Sequence, residues 1–165
     1  MFTLPTEFDQ NEWFVLIWLI ISYTVAVLLP KKFPLSVTIL IMLYGSTVGR
    51  VCDHFLAGPE IDLYKIMDTK NYDLFDLFTY FLYAPFSYFF IYIYEWFEIN
   101  GGKTLYYLIV SSTAGAGFEW LSKEFGVFTY NDWKLIYSLT VYLFVQCLTL
   151  LLYNRIKREY GFIVK

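Results

Sequence analysis

The sequence predicts an all-α fold: a polytopic membrane helix bundle of five transmembrane helices, N-terminus outside and C-terminus inside. Three observations lead there. The 165 residues are 58% hydrophobic and 23% aromatic but only 16% charged, whereas soluble domains carry about 25% charged residues. Apolar runs of membrane-spanning length recur along the chain, where a soluble helix would keep one polar face. Lys and Arg fall unevenly between alternate connections, which sets an orientation. Residues 1–165 read as a single integral membrane domain.

The first span, 13–29, is uncharged and is closed by Pro30 and the pair Lys31 and Lys32. The segment before it, MFTLPTEFDQNEW, is acidic and lacks the positive leader of a secretory signal, so this span is expected to be retained. The second span, 35–56, is uncharged as far as Gly49 and then takes in Arg50, Asp53 and His54. The third, 77–94, contains Pro85. Neighbouring helices re-satisfy the backbone groups that a proline frees in a membrane, so a kink is expected there and not an end. The fourth span is 104–121 and the fifth 135–154. Crossing the hydrocarbon core takes about 20 residues, which the second and fourth reach only with their charged residues included. The long connection 57–76 reads as a solvated linker, or as a short surface helix built on Ile61, Leu63, Ile66 and Met67. No internal repeat or low-complexity segment interrupts the pattern.

With an outer N-terminus, Lys31, Lys32, Lys103, Arg155, Lys157, Arg158 and Lys165 lie inside, against Lys65, Lys70, Lys123 and Lys134 outside. That distribution obeys the positive-inside rule. It also sets depths. Arg50 and Glu119 each stand fifteen residues along a span that rises from the inner side, a climb of roughly 22 Å. Asp76 opens the third span from the outside, and Lys134 the fifth. Arg50, Asp53, His54, Asp76, Glu119 and Lys134 are therefore expected in the outer leaflet, with Tyr130 and Trp133 at the rim.

An ionisable group in hydrocarbon costs from about 2.5 to over 10 kcal/mol, so it faces the bundle interior or a wet cavity. Arg50, Asp53 and His54 are spaced i, i+3 and i+4 on one helix face. Arg50 with Glu119 is the expected interhelical pair. Two readings compete: a structural network close enough to the interface for long side chains to snorkel, or an outward-facing pocket. Gly45 and Gly49 form a GxxxG, and Ser111 with Gly115 and Thr113 with Gly117 are small-residue pairs. Such faces let helices approach closely, and they are expected to pack the second span on the fourth within one protomer.

Net charge is −3 with no basic tract, which argues against nucleic acid as a partner. His54 is the only histidine, so no metal site is assigned. It reads first as a hydrogen-bonded interface residue, and it is better suited to handling a proton than to binding a metal. Cys52 and Cys147 fall in opposite halves of the bilayer, too far apart for a bridge. No phosphate-binding loop, dinucleotide fingerprint, serine elbow or paired-histidine helix is present. No cofactor is expected and no residue is assigned as a nucleophile.

The junction Glu119, Trp120, Gly126, Tyr130, Trp133, Lys134, Tyr137 and Ser138 resembles an uncharacterised family of small, about five-span membrane proteins of spore-forming Gram-positive bacteria. The resemblance implies a bacterial plasma membrane and adds no catalytic residue. The expected function is an outer-leaflet polar pocket that binds or helps transport a small polar ligand, a lipid headgroup or a proton. Its walls would be Arg50, Asp53, His54, Asp76, Glu119, Lys134, Tyr130 and Trp133. The alternative is an accessory subunit of a larger membrane complex, and an intramembrane enzyme on lipid substrates ranks last. The expected partners are membrane lipids and either a second copy of the chain or another membrane protein.

Overall fold

The computed structural model describes residues 8–67 and 74–160. Within these described residues the sequence forms five helices: α1 Gln10–Leu28, α2 Leu35–Leu56, α3 Leu74–Trp96, α4 Gly102–Glu124 and α5 Leu135–Tyr160. Among the described residues, α1, α2, α3 and α5 are long and apolar enough to cross a membrane. The 23-residue α4 has the length, but Ser111, Ser112, Thr113 and the charges of Lys103, Glu119, Lys123 and Glu124 make it less apolar. Helix boundaries follow chemistry. Asp9 caps α1 in a reciprocal box with Glu12, which satisfies amide groups that have no partner within the helix. Pro34 stands at the start of α2. As expected, α3 continues through Pro85.

The polarity of the bundle is inverted relative to a soluble protein. Large apolar side chains cover its outside, among them Ile20, Val27, Leu43, Phe144 and Leu151. Asn11, Glu12, Asp53, Asp76, Ser112 and Ser138 are buried inside. An apolar exterior on every spanning helix is what hydrocarbon solvates and water does not. The interior has two apolar clusters. One, around Ile41, Tyr88, Ile91, Leu150 and Tyr153, joins α2, α3 and α5. The other, around Phe14, Val15, Tyr64, Met67 and Val127, lies beneath the 57–67 and 125–133 connections. At the end of the bundle away from those connections, Lys157 of α5 grips the carboxylate of Glu95 of α3 at 2.7 and 2.9 Å.

The GxxxG packs on a different neighbour from the one expected. A Cβ on Gly45 would lie 2.3 Å from Ser87 Oγ, and one on Gly49 would lie 2.3 Å from the Tyr83 ring. The close approach is therefore between α2 and α3. On α4 it is Gly115 that lies under a ring, that of Tyr142 on α5, with a Cβ position 3.5 Å away. A GxxxG specifies a short distance between backbones, and it carries no information about which partner comes close.

The 57–76 connection also departs from expectation. Instead of a linker or a surface helix, it contributes a strand, β1 Tyr64–Ile66, which pairs antiparallel with β2 Phe128–Tyr130. Ile66 and Met67, expected on a surface, are 9% and 3% exposed. The register sets Tyr64 opposite Tyr130, Lys65 opposite Thr129 and Ile66 opposite Phe128. The Leu63 carbonyl extends the ribbon by accepting from the amides of Asn131, Asp132 and Trp133 at 2.9–3.1 Å. Gly126 makes the turn out of α4 with φ 79, a left-handed conformation that glycine adopts without steric cost. Asp68, Lys70, Asp73 and Lys165 lie outside the described residues.

Candidate functional site

Two carboxylates end up in the same part of the bundle. Asp53 lies in the last turns of α2 and is 6% exposed. Its Oδ1 accepts from the Tyr64 hydroxyl at 2.6 Å and its Oδ2 from the Tyr83 hydroxyl at 3.1 Å. Glu119, near the end of α4, accepts on Oε1 from the Tyr130 hydroxyl and from Ser138 Oγ, the latter at 2.5 Å. Its Oε2 accepts from the Tyr142 hydroxyl at 2.9 Å. Ser138 is itself fixed by Trp133, whose indole N–H donates to Oγ at 2.8 Å. The hydroxyls of Tyr64, Tyr83, Tyr130, Ser138 and Tyr142 all converge on the oxygens of the two carboxylates.

The ribbon ties the two acids together. Tyr64 and Tyr130 are cross-strand partners and so project from the same face of the pair. One phenol goes to Asp53 and the other to Glu119. Burial pushes the Tyr64 phenol up, and the Asp53 and Glu119 carboxylates push it the same way. Burial likewise raises Tyr130, with Glu119 reinforcing the effect. Both phenols therefore remain protonated donors.

This cluster forms one end of a cavity of about 510 Å³ bounded by all five helices and both strands. The volume falls within the roughly 300–1,000 Å³ of small-molecule sites. Asp53, Tyr64, Tyr83, Glu119, Ser138 and Tyr142 are on its wall, and most of the remainder is apolar, from Phe86, Phe90, Val110, Phe118 and Val141 among others. Further along, Gln146 Oε1 accepts from Ser111 and Ser112 at 2.7 and 2.8 Å.

The expected residues divide into three groups. Asp53, Glu119, Tyr130 and Trp133 are brought together in this cluster. Arg50 and Asp76 line a separate groove of about 560 Å³ with Ser46, Thr47, Tyr80 and Phe81. There the Arg50 guanidinium donates to the Tyr80 hydroxyl at 2.6 Å and stacks 4.7 Å from its ring centroid. The expected Arg50–Glu119 pair thus gives way to hydroxyl partners for Glu119 and a tyrosine partner for Arg50. His54 and Lys134 are exposed and line neither space.

Tyr64 and Tyr142 are site residues that sequence reasoning missed. Tyr142 had a signal, because Ser138, Tyr142, Gln146 and Thr149 repeat at helical spacing and mark a polar stripe on an apolar helix. Tyr64 had none, since its role depends on a pairing partner distant in sequence. No family model, curated protein or solved structure matches this chain.

Proposed function

We propose that the chain is a five-span membrane protein, N-terminus outside, that holds an amphipathic small molecule in its central cavity. The polar group of the ligand would meet the Asp53 and Glu119 cluster, and its apolar part would run along α3, α4 and α5. The observation that carries this reading is a mostly apolar cavity with two carboxylates and their hydroxyl donors at one end, the usual composition of a ligand pocket. A purely structural network would fill its own space, because packed interiors leave few voids larger than a water molecule. In this reading α4 also crosses the membrane, as the fourth of five spans, and its C-terminal end with Glu119, Lys123 and Glu124 faces the outer side. The resemblance of the Glu119-to-Ser138 junction favours a bacterial cell membrane.

The test is purification in native-lipid nanodiscs followed by mass spectrometry of what stays bound. The wild-type chain is expected to retain a small molecule enriched over the surrounding lipid. Gly115→Leu, which adds bulk to the cavity wall beside Tyr142, should lose it. An identical complement in both preparations, or no enrichment in either, would refute the proposal.

A further inference from the structure

We infer that the polar end of this ligand is a protonated amine. The inference rests on the cavity reading above and follows from counting donors and acceptors. An ionised carboxylate offers about four acceptor sites. Two are used on Asp53, by Tyr64 and Tyr83. Three are used on Glu119, by Tyr130, Ser138 and Tyr142. About three acceptor sites remain on the two acids together, matching the three N–H donors of a primary ammonium.

Charge points the same way. The donors that hold the two acids are all neutral. The Arg50 guanidinium is stacked on Tyr80 in the neighbouring groove. The exposed Lys123 ammonium stands 5.5 Å from the Tyr130 ring centroid, and among the described residues neither it nor Arg50 forms a salt bridge with Asp53 or Glu119, so no cation contacts the two carboxylates directly. An uncompensated charge at membrane depth is costly, and a cationic ligand removes that cost. Tyr64, Tyr83, Tyr142 and Trp133 also line the same cavity, and aromatic rings near a cation add a weaker attraction. An anionic headgroup would meet two carboxylates with no free donor, so it is disfavoured by the same count.

The probes are dodecylamine, dodecanol and dodecyl sulfate, which share one chain and differ in charge, titrated against the full-length protein in nanodiscs. Dodecylamine is expected to bind at least ~10-fold tighter than dodecanol, as fits one charge-assisted hydrogen bond or more, and dodecyl sulfate weakest. Asp53→Asn and Glu119→Gln should each bring the amine-to-alcohol ratio towards one. Equal binding of amine and alcohol by the wild-type chain would overturn the amine assignment while leaving the cavity reading in place. No binding of any probe would overturn both. Competition by a short-chain phosphatidylethanolamine would identify an aminolipid as the source of the amine, and its absence a free long-chain amine; either result supports amine recognition.

Discussion

Glu119→Ala is expected to lower the stability of the purified protein by about 2–4 kcal/mol, read as a fall in the thermal unfolding midpoint in nanodiscs. The change strands the hydroxyls of Tyr130, Ser138 and Tyr142, which all donate to this one carboxylate, and each buried donor left unsatisfied costs about 1–3 kcal/mol. An opposing effect exists. Removing a charge from membrane depth is favourable by about 2.5 kcal/mol or more if that charge lacks partners. The sign of the result therefore decides between a carboxylate held by the fold and one merely tolerated by it. Three convergent donors favour the first. Glu124→Ala, at the exposed end of α4, should shift stability by no more than about 0.5 kcal/mol. A stabilising Glu119→Ala would contradict the hydrogen-bond geometry.

The second large effect is expected at the ribbon. Tyr64→Phe keeps the ring, with its contacts to Phe128 and Trp133 at 5.9 and 5.5 Å, and removes only the hydroxyl. Asp53 is then left buried with Tyr83 as its remaining donor. A hydrogen bond to a charged group contributes about 1.5–3 kcal/mol, so a loss of about 2 kcal/mol is expected. Tyr130→Phe should cost less, about 1 kcal/mol, because Glu119 keeps Ser138 and Tyr142 and the Tyr130 ring is only partly buried. Equal losses, or a larger one at Tyr130, would mean that Asp53 does not depend on the Tyr64 hydroxyl.

How far the sequence could be read depends on the range of the interaction. Apolar run length is local, and the second span was expected at 35–56, where α2 runs Leu35–Leu56. The other helices extend beyond their apolar runs, as α3 and α4 do, because interfacial residues such as Asp76 and Lys123 continue the hydrogen-bond ladder. Position along the helix axis was also legible, since Asp53 and Glu119 both lie on the wall of one cavity and are held by the cross-strand pair Tyr64 and Tyr130. Facing was not. Arg50, Asp53 and His54 were grouped on one helix face, yet Asp53 turns to the cavity, Arg50 to the Tyr80 groove and His54 outward. A rotation of tens of degrees about the helix axis separates these outcomes, and only the packing of α2 on α3 sets it. The Tyr64 and Tyr130 pairing lay beyond local reasoning altogether, because three-residue strands derive their existence from each other.

The most direct test of the account is a double-mutant cycle between Asp53→Asn and Glu119→Gln, with unfolding followed in nanodiscs. If the cross-strand tyrosines make the two acids one cluster, the pair should be non-additive by at least about 0.5 kcal/mol, the coupling expected of residues in one network. Additive single changes would contradict the account and leave two independent acids on separate helices.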